Sequence, residues 1–203
     1  MRIDPKYSDL TILCLDEVYA VPKCIVCTRS DFFAKACDGG FQEASTDEII
    51  LQEEPALVRE MIEYFYTLDY LGREDQGNAS QPDDAARNPS AAFDSLSFHI
   101  LMYSLADRMF IEGLKALSNQ KAERELIDSL DANSFPGAIF EIYNSTPADD
   151  RGLRDMAVRV TMDHLTKLRR GNEEVPVTFE NSLLKSVPQF CFDLLVAIMD
   201  KDM

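Results

Sequence analysis

The order of elements between Ser8 and Tyr70 (SDLTILCLDEVYAVPKCIVCTRSDFFAKACDGGFQEASTDEIILQEEPALVREMIEYFYTLDY) narrows the available folds more than anything else in this chain. Leu10 to Leu15 is rich in β-branched and aliphatic residues and predicts a strand. Asp16-Glu17 is a polar break, and Val18 to Val21 predicts a second strand, so the two runs form a hairpin. Pro22 has no N–H for a ladder and ends the second strand. Lys23 to Thr28 is short and apolar, enough for one or two helical turns. Ser30-Asp31 is a helix start. Phe32, Phe33, Ala36 and Cys37 follow at helical spacing, and Gly39-Gly40 stops that helix. Glu48 to Gln52 predicts a third strand. Pro55 suits a first helical position, and Leu57, Val58, Met61, Ile62, Phe65 and Tyr66 then form an amphipathic stripe.

Beyond Tyr70 the pattern changes. Residues 72 to 92 (GREDQGNASQPDDAARNPSAA) have no apolar period and predict a mobile insertion. Helical patterning resumes at Phe93, with one stripe at Leu96, Ile100, Leu101 and Leu105 and another at Phe110, Leu114 and Leu117. The polar stretch from Ser118 to Glu125 leads into Leu126, Ile127 and Leu130. Asn133-Ser134 caps a helix carrying Ile139, Phe140 and Tyr143, and Thr146-Pro147 ends it. A long helix from Leu153 to Leu168 stops near Gly171. Two closing helices run over Asn181 to Val187 and Pro188 to Met199. No fixed-period repeat is present.

The chain has 203 residues, room for one domain with an extension or two small domains. Its 36 acidic and 20 basic residues give a net charge of −16, which disfavours nucleic acid backbones and anionic membranes. The longest strongly apolar run, Leu194 to Met199, is far short of the roughly 20 residues that span a bilayer. No basic-then-apolar leader is visible at the N-terminus, so the expectation is an intracellular chain, nuclear or cytoplasmic. Five cysteines in such a setting are expected as free thiols. Asn78 and Asn144 sit in glycosylation triplets, which without secretion are chance matches.

The motifs between Ser8 and Tyr70 carry a family resemblance. Ser8-Asp9 before the first strand, the block VPKCIVCTRSDFFAKAC, then GGFQEA, the EIIL strand and MIEYFYTLDY occur in the order of the BTB/POZ domain, and particularly resemble fungal BTB proteins. The helices from Phe93 to about Ser118 are similar to the later part of that domain. The chain departs from the family at Pro22-Lys23, where a His precedes the basic residue in most members, and in the length of the insertion. The resemblance implies an α/β (α+β) fold, a small sheet flanked by helices, over residues 1–120, with an all-helical C-terminal extension over 121–203. It implies a non-catalytic protein–protein interaction and dimerisation module, pairing with itself or another BTB protein. Adaptor members of the family join a cullin-3-type ubiquitin ligase to a client, here of unknown identity. A BTB scaffold that recruits a transcriptional corepressor is the alternative within the family. No zinc finger or basic helix accompanies it, so no direct contact with nucleic acid is expected.

Two sets of site residues follow from the resemblance. The hydrophobic-x-Glu signature of cullin-binding members falls on Phe41, Gln42 and Glu43, an aromatic anchor beside a carboxylate. The charged-pocket residues fall on Asp9 and Lys23, which pair if both face inward. The ordinary readings are a core-capping Phe41 with a solvated Glu43, and surface charges at Asp9 and Lys23.

Other residues are weighed on their own chemistry. Cys24 and Cys27 make a CxxC, but zinc needs about four ligands and no second pair appears, so no metal or cofactor is expected. With Cys14, Cys37 and Cys191 they predict buried free thiols. His99 and His164 lie on apolar helical faces and suit interior or boundary positions. Glu53-Glu54 and Asp83-Asp84 suit solvated acids. A small hydrolase or thiol redox enzyme is the reading from another class; it lacks a nucleophile elbow and a phosphate loop, and a perturbed thiol at Cys24 or Cys27 would revive it. In the tail, Phe190, Phe192, Leu194, Leu195, Ile198 and Met199 suit burial, or a partner-binding helix face.

Overall fold

The hairpin forms where the β-branched runs place it. In the computed structural model, which describes residues 7–38, 40, 42–71, 94–130, 134–170 and 181–201 (Gln42 and Arg170 by backbone only), β1 is Leu10–Cys14 and β2 is Glu17–Val21. They pair antiparallel, with Leu10 opposite Val21 and Cys14 opposite Glu17. The connection is the two residues Leu15 and Asp16, and Leu15 takes a left-handed φ of 49° to close it. Three helices follow: α1 (Lys23–Val26), α2 (Asp31–Asp38) and α3 (Gln42–Thr46). Then β3 (Glu48–Leu51) returns parallel to β1, with Leu13 opposite Ile50, giving the strand order β2-β1-β3. The helix α4 (Pro55–Thr67) begins at its proline and ends on Leu68, whose φ of 61° makes a left-handed cap.

The alternation of the strands decides which face of the sheet is covered. Leu10, Ile12, Cys14, Val21, Ile49 and Leu51 point to one face and are buried. There they meet Val26 of α1, Phe33 of α2, and Val58, Met61 and Phe65 of α4, all fully buried. The rings of Phe33 and Phe65 pack edge to face at 5.9 Å. On the same side Arg59 of α4 and the Tyr19 hydroxyl both donate to the Glu17 carboxylate. Burial first, then that carboxylate, raise the Tyr19 pKa.

Ser30 starts α2. Its hydroxyl accepts from the Phe33 amide at 3.2 Å, as an N-cap does, and donates to the Met109 carbonyl at 2.6 Å. Gly40 takes φ 68° just beyond the end of α2.

Six further helices follow among the described residues: α5 (Ser95–Arg108), α6 (Glu112–Asp128), α7 (Ser134–Ser145), α8 (Gly152–Arg170), α9 (Asn181–Ser186) and α10 (Pro188–Lys201). The chain divides into two compact units, Met1–Asp94 with Leu101–Leu117, and Ser95–Ile100 with Ser118–Met203. Helices α5 and α6 contribute residues to both. Two sequence readings change here. The Ser118 to Glu125 stretch, read as a polar lead-in, is the middle of α6. Phe110, read as part of an apolar stripe, sits in the α5–α6 turn with φ 51° and is 55% exposed. The segment 72–92, read as a mobile insertion, lies outside the described residues.

The second unit has a core of Phe135, Ile139, Ile142, Leu153, Ala157 and Phe190. A buried carboxylate ties α10 to α7 and to the residue that precedes α8. Asp193 of α10 accepts from the Tyr143 hydroxyl of α7 at 2.8 Å, from Arg151, just before α8, at 2.9 Å and from its own Gln189 at 3.1 Å. Burial alone would raise its pKa; these three donors outweigh burial and hold it below the usual carboxylate range. Arg154 of α8 is buried against the end of α7, donating to the carbonyls of Tyr143 and Thr146 with its charge 4.7 Å from the Tyr143 ring centre. In α10, Phe190 and Leu194 are buried, but Phe192, Leu195, Ile198 and Met199 are exposed, so the tail is split rather than buried as a whole.

Candidate interaction surface

The candidate set Phe41, Gln42 and Glu43 falls at the start of α3. This helix packs on α2 and is only five residues long. Glu43 is half-buried in its first turn, and its carbonyl accepts from the Asp47 amide at 3.0 Å. Phe41 lies outside the described residues, and of Gln42 only the backbone is described.

Near α2 an aromatic is presented to solvent. Phe110 projects from the α5–α6 turn, and the Lys35 ammonium of α2 lies 5.4 Å from the centre of its ring. Two contacts hold the turn against the sheet and helices. The Met109 carbonyl accepts from Ser30. Arg108 grips Glu53 in a bidentate pair, with N–O distances of 3.1 and 2.7 Å. Glu53 is therefore ion-paired rather than simply solvated, a partnership 55 residues away that no local pattern announces. Asp83 and Asp84 lie outside the described residues.

The charged pair Asp9 and Lys23 meets, but not charge to charge. The Asp9 carboxylate accepts from the backbone amide of Lys23 at 2.6 Å. That amide opens α1, whose N-cap, Pro22, makes no side-chain cap, so Asp9 supplies the missing acceptor from the strand side. The Lys23 ammonium instead pairs with Asp47, the left-handed residue before β3. Its pKa is raised, chiefly by that hydrogen bond. Asp9 and Asp47 are exposed and Lys23 is half-buried, so the corner between β2 and α1 is a surface charge array of Asp9, Lys23 and Asp47. Sequence reasoning did not include Asp47, because only the parallel return of β3 beside β1 brings it there.

The cysteines depart from the buried reading. Cys14 is buried and donates to the Glu53 carbonyl at 3.2 Å; Cys24 is exposed, and Cys27, Cys37 and Cys191 are half-buried. Desolvation first, then a hydrogen bond with Cys37, push the Cys27 thiol up to about 12, opposite to the lowered pKa of a redox nucleophile. His99 is buried beside Phe98, and His164 is half-buried on α8. Among the described residues no group of three or more His, Cys, Asp or Glu is placed to hold a metal ion, and no helix is long and apolar enough to cross a membrane.

What the first unit presents is thus a small sheet backed by helices, with an exposed aromatic, a half-buried glutamate and a charged corner around them. Such an arrangement suits docking to another protein. No curated protein matches the chain significantly. Residues 1–75 match the family model of the BTB/POZ domain. BTB domains are typically non-catalytic modules that commonly self-associate and bind other proteins, and residues 1–75 are the part of this chain that is similar to them.

Proposed function

We propose that the chain is a non-catalytic dimerisation and adaptor module that joins a cullin-3-type ubiquitin ligase to a client protein, in the nucleus or cytoplasm. The observation that carries this reading is the aromatic Phe110, exposed beside Lys35 on α2, the helix on which Glu43's α3 packs. Phe110 is an aromatic anchor and Glu43 a carboxylate for a helical partner, and the family resemblance adds Phe41, the residue two before Glu43 in the sequence. On this reading the interaction domain runs past the matched residues to about residue 120; the clustering of 101–117 with 1–94 supports the extension, whereas 95–100 and 118–120 cluster with the second unit. The helical extension from 121 onward supplies surface for the client.

The test is solution mass by light scattering across a dilution series, together with a cullin-3 pull-down. A dimer that retains cullin-3, and loses it on combined Phe41→Ala and Glu43→Ala or on Phe110→Ala, supports the adaptor reading. A monomer that ignores cullin-3 removes both the dimer and the adaptor. A dimer that ignores cullin-3 leaves dimerisation standing and removes the ligase.

A further inference from the structure

The face of the three-stranded sheet turned away from α1, α2 and α4 has the wrong chemistry for a merely solvated surface. A solvated sheet face reads as polar. Here Val18, Leu13 and Ile50 stand opposite one another on β2, β1 and β3 and form one cross-strand row. Val18 is 66% exposed and Ile50 70%, with Leu13 half-buried between them. The next row, Ala20, Thr11 and Glu48, carries a single charge. Water against this row is a standing cost that a partner's apolar side chains would remove.

Width and charge indicate the occupant. Neighbouring strands lie about 4.8 Å apart, so the outer two are about 10 Å apart, close to the diameter of one α-helix. The rim is acidic: Asp16 in the hairpin turn and Glu48 on β3 are exposed, and neither is ion-paired among the described residues. A second copy, itself carrying −16, would bring the same acids to this rim. A helix with aliphatic side chains on one face and lysine or arginine at its borders matches both the row and the rim. We propose that the uncovered sheet face, with Val18, Leu13 and Ile50 as its apolar row and Asp16 and Glu48 at its rim, docks a basic amphipathic helix of a partner protein. This uses no side chain of α2, α3 or the α5–α6 turn, so it stands or falls separately from the cullin reading.

The probe is a synthetic leucine–lysine amphipathic helix of about 14 residues, spanning about 21 Å, titrated into the full-length chain. Affinity should fall at least about tenfold in the Val18→Ser, Ile50→Ser double variant, and with added salt. Both positions are exposed, so the variant should keep its fold; circular dichroism checks this. Methyl chemical shifts of Leu13, Val18 and Ile50 in the unmodified chain locate the peptide independently of any variant. Four results would overturn the proposal: no binding, equal binding to the double variant, equal binding of a leucine–glutamate helix, or self-association that the double variant abolishes. The last would assign the face to a second copy.

Discussion

At the scale of single residues, the five cysteines are the clearest example of chemistry set by place. Cys24 and Cys27 are three residues apart and look equivalent in sequence, yet Cys24 is exposed while Cys27 is half-buried, and desolvation first, then a hydrogen bond with Cys37, push it up to about 12. A thiol reacts as its thiolate, so at about pH 8 Cys27 remains protonated and its reaction is suppressed. Timed labelling with iodoacetamide, read by peptide mass spectrometry, should mark Cys24 well before Cys27. Cys37→Ala removes the hydrogen bond and should speed labelling at Cys27. Equal rates at the two positions in the unaltered chain would contradict the contact. The residue scale also shows what sequence could and could not disclose. Ser30 as a helix start and Pro22 as a strand end were legible because each acts on its own backbone. That Asp9 would cap α1 and Lys23 would reach Asp47 was not, since both contacts join segments that meet only in the sheet.

At the scale of elements, two contacts between helices can be broken selectively. Gly113 of α6 lies where a Cβ would come within 2.3 Å of the Tyr64 hydroxyl of α4 and 3.5 Å of its ring carbon Cζ. Alanine gains about 1 kcal/mol of helix propensity over glycine, but Tyr64 is buried and its rigid ring has little room to retreat. Gly113→Ala should therefore destabilise by about 1–3 kcal/mol net. Adding Tyr64→Phe removes the clashing oxygen and leaves only ordinary contact, so the double variant should recover most of that loss in a urea titration. The second contact is Asp193. Its folded carboxyl ionises below the ordinary 3.8, so the unfolded chain binds the proton more readily than the folded one. The stabilisation is complete above the ordinary value and fades as pH falls through the lower, folded one. Between about pH 5 and pH 3, the melting midpoint should fall more steeply for the unaltered chain than for Asp193→Asn. Equal slopes would mean that Asp193 gives no such support. Here legibility followed periodicity: β1, β2, β3 and α4 were readable because their apolar residues repeat at 2 or 3.6. The α3 segment QEAST carries no apolar repeat and gave no helical signal, while the polar middle of α6 masked a continuous helix as a break.

At the scale of the whole molecule, charge is the property that every surface shares. Thirty-six acids against 20 bases leave 16 negative charges without a counterpart at neutral pH. Exposed pairs such as Arg159 with Glu123 contribute about 0–1 kcal/mol each and weaken in salt, whereas the excess of acids repels itself over the whole folded surface and is relieved by salt. The two effects oppose one another, and the excess decides the sign. Raising sodium chloride from about 0.01 M to 0.15 M shortens the screening length from about 30 Å to about 8 Å. That reaches most acid–acid separations across a protein of this size, while the closest ion pairs, at contact distance, are screened least. The thermal midpoint should therefore rise, by about 2–4 °C for each kcal/mol of repulsion removed. Scanning calorimetry at the two salt concentrations tests this directly. A fall in the midpoint would mean that the ion pairs outweigh the surplus, and the acidity would then have to be explained locally, by what rims such as Asp16 and Glu48 attract.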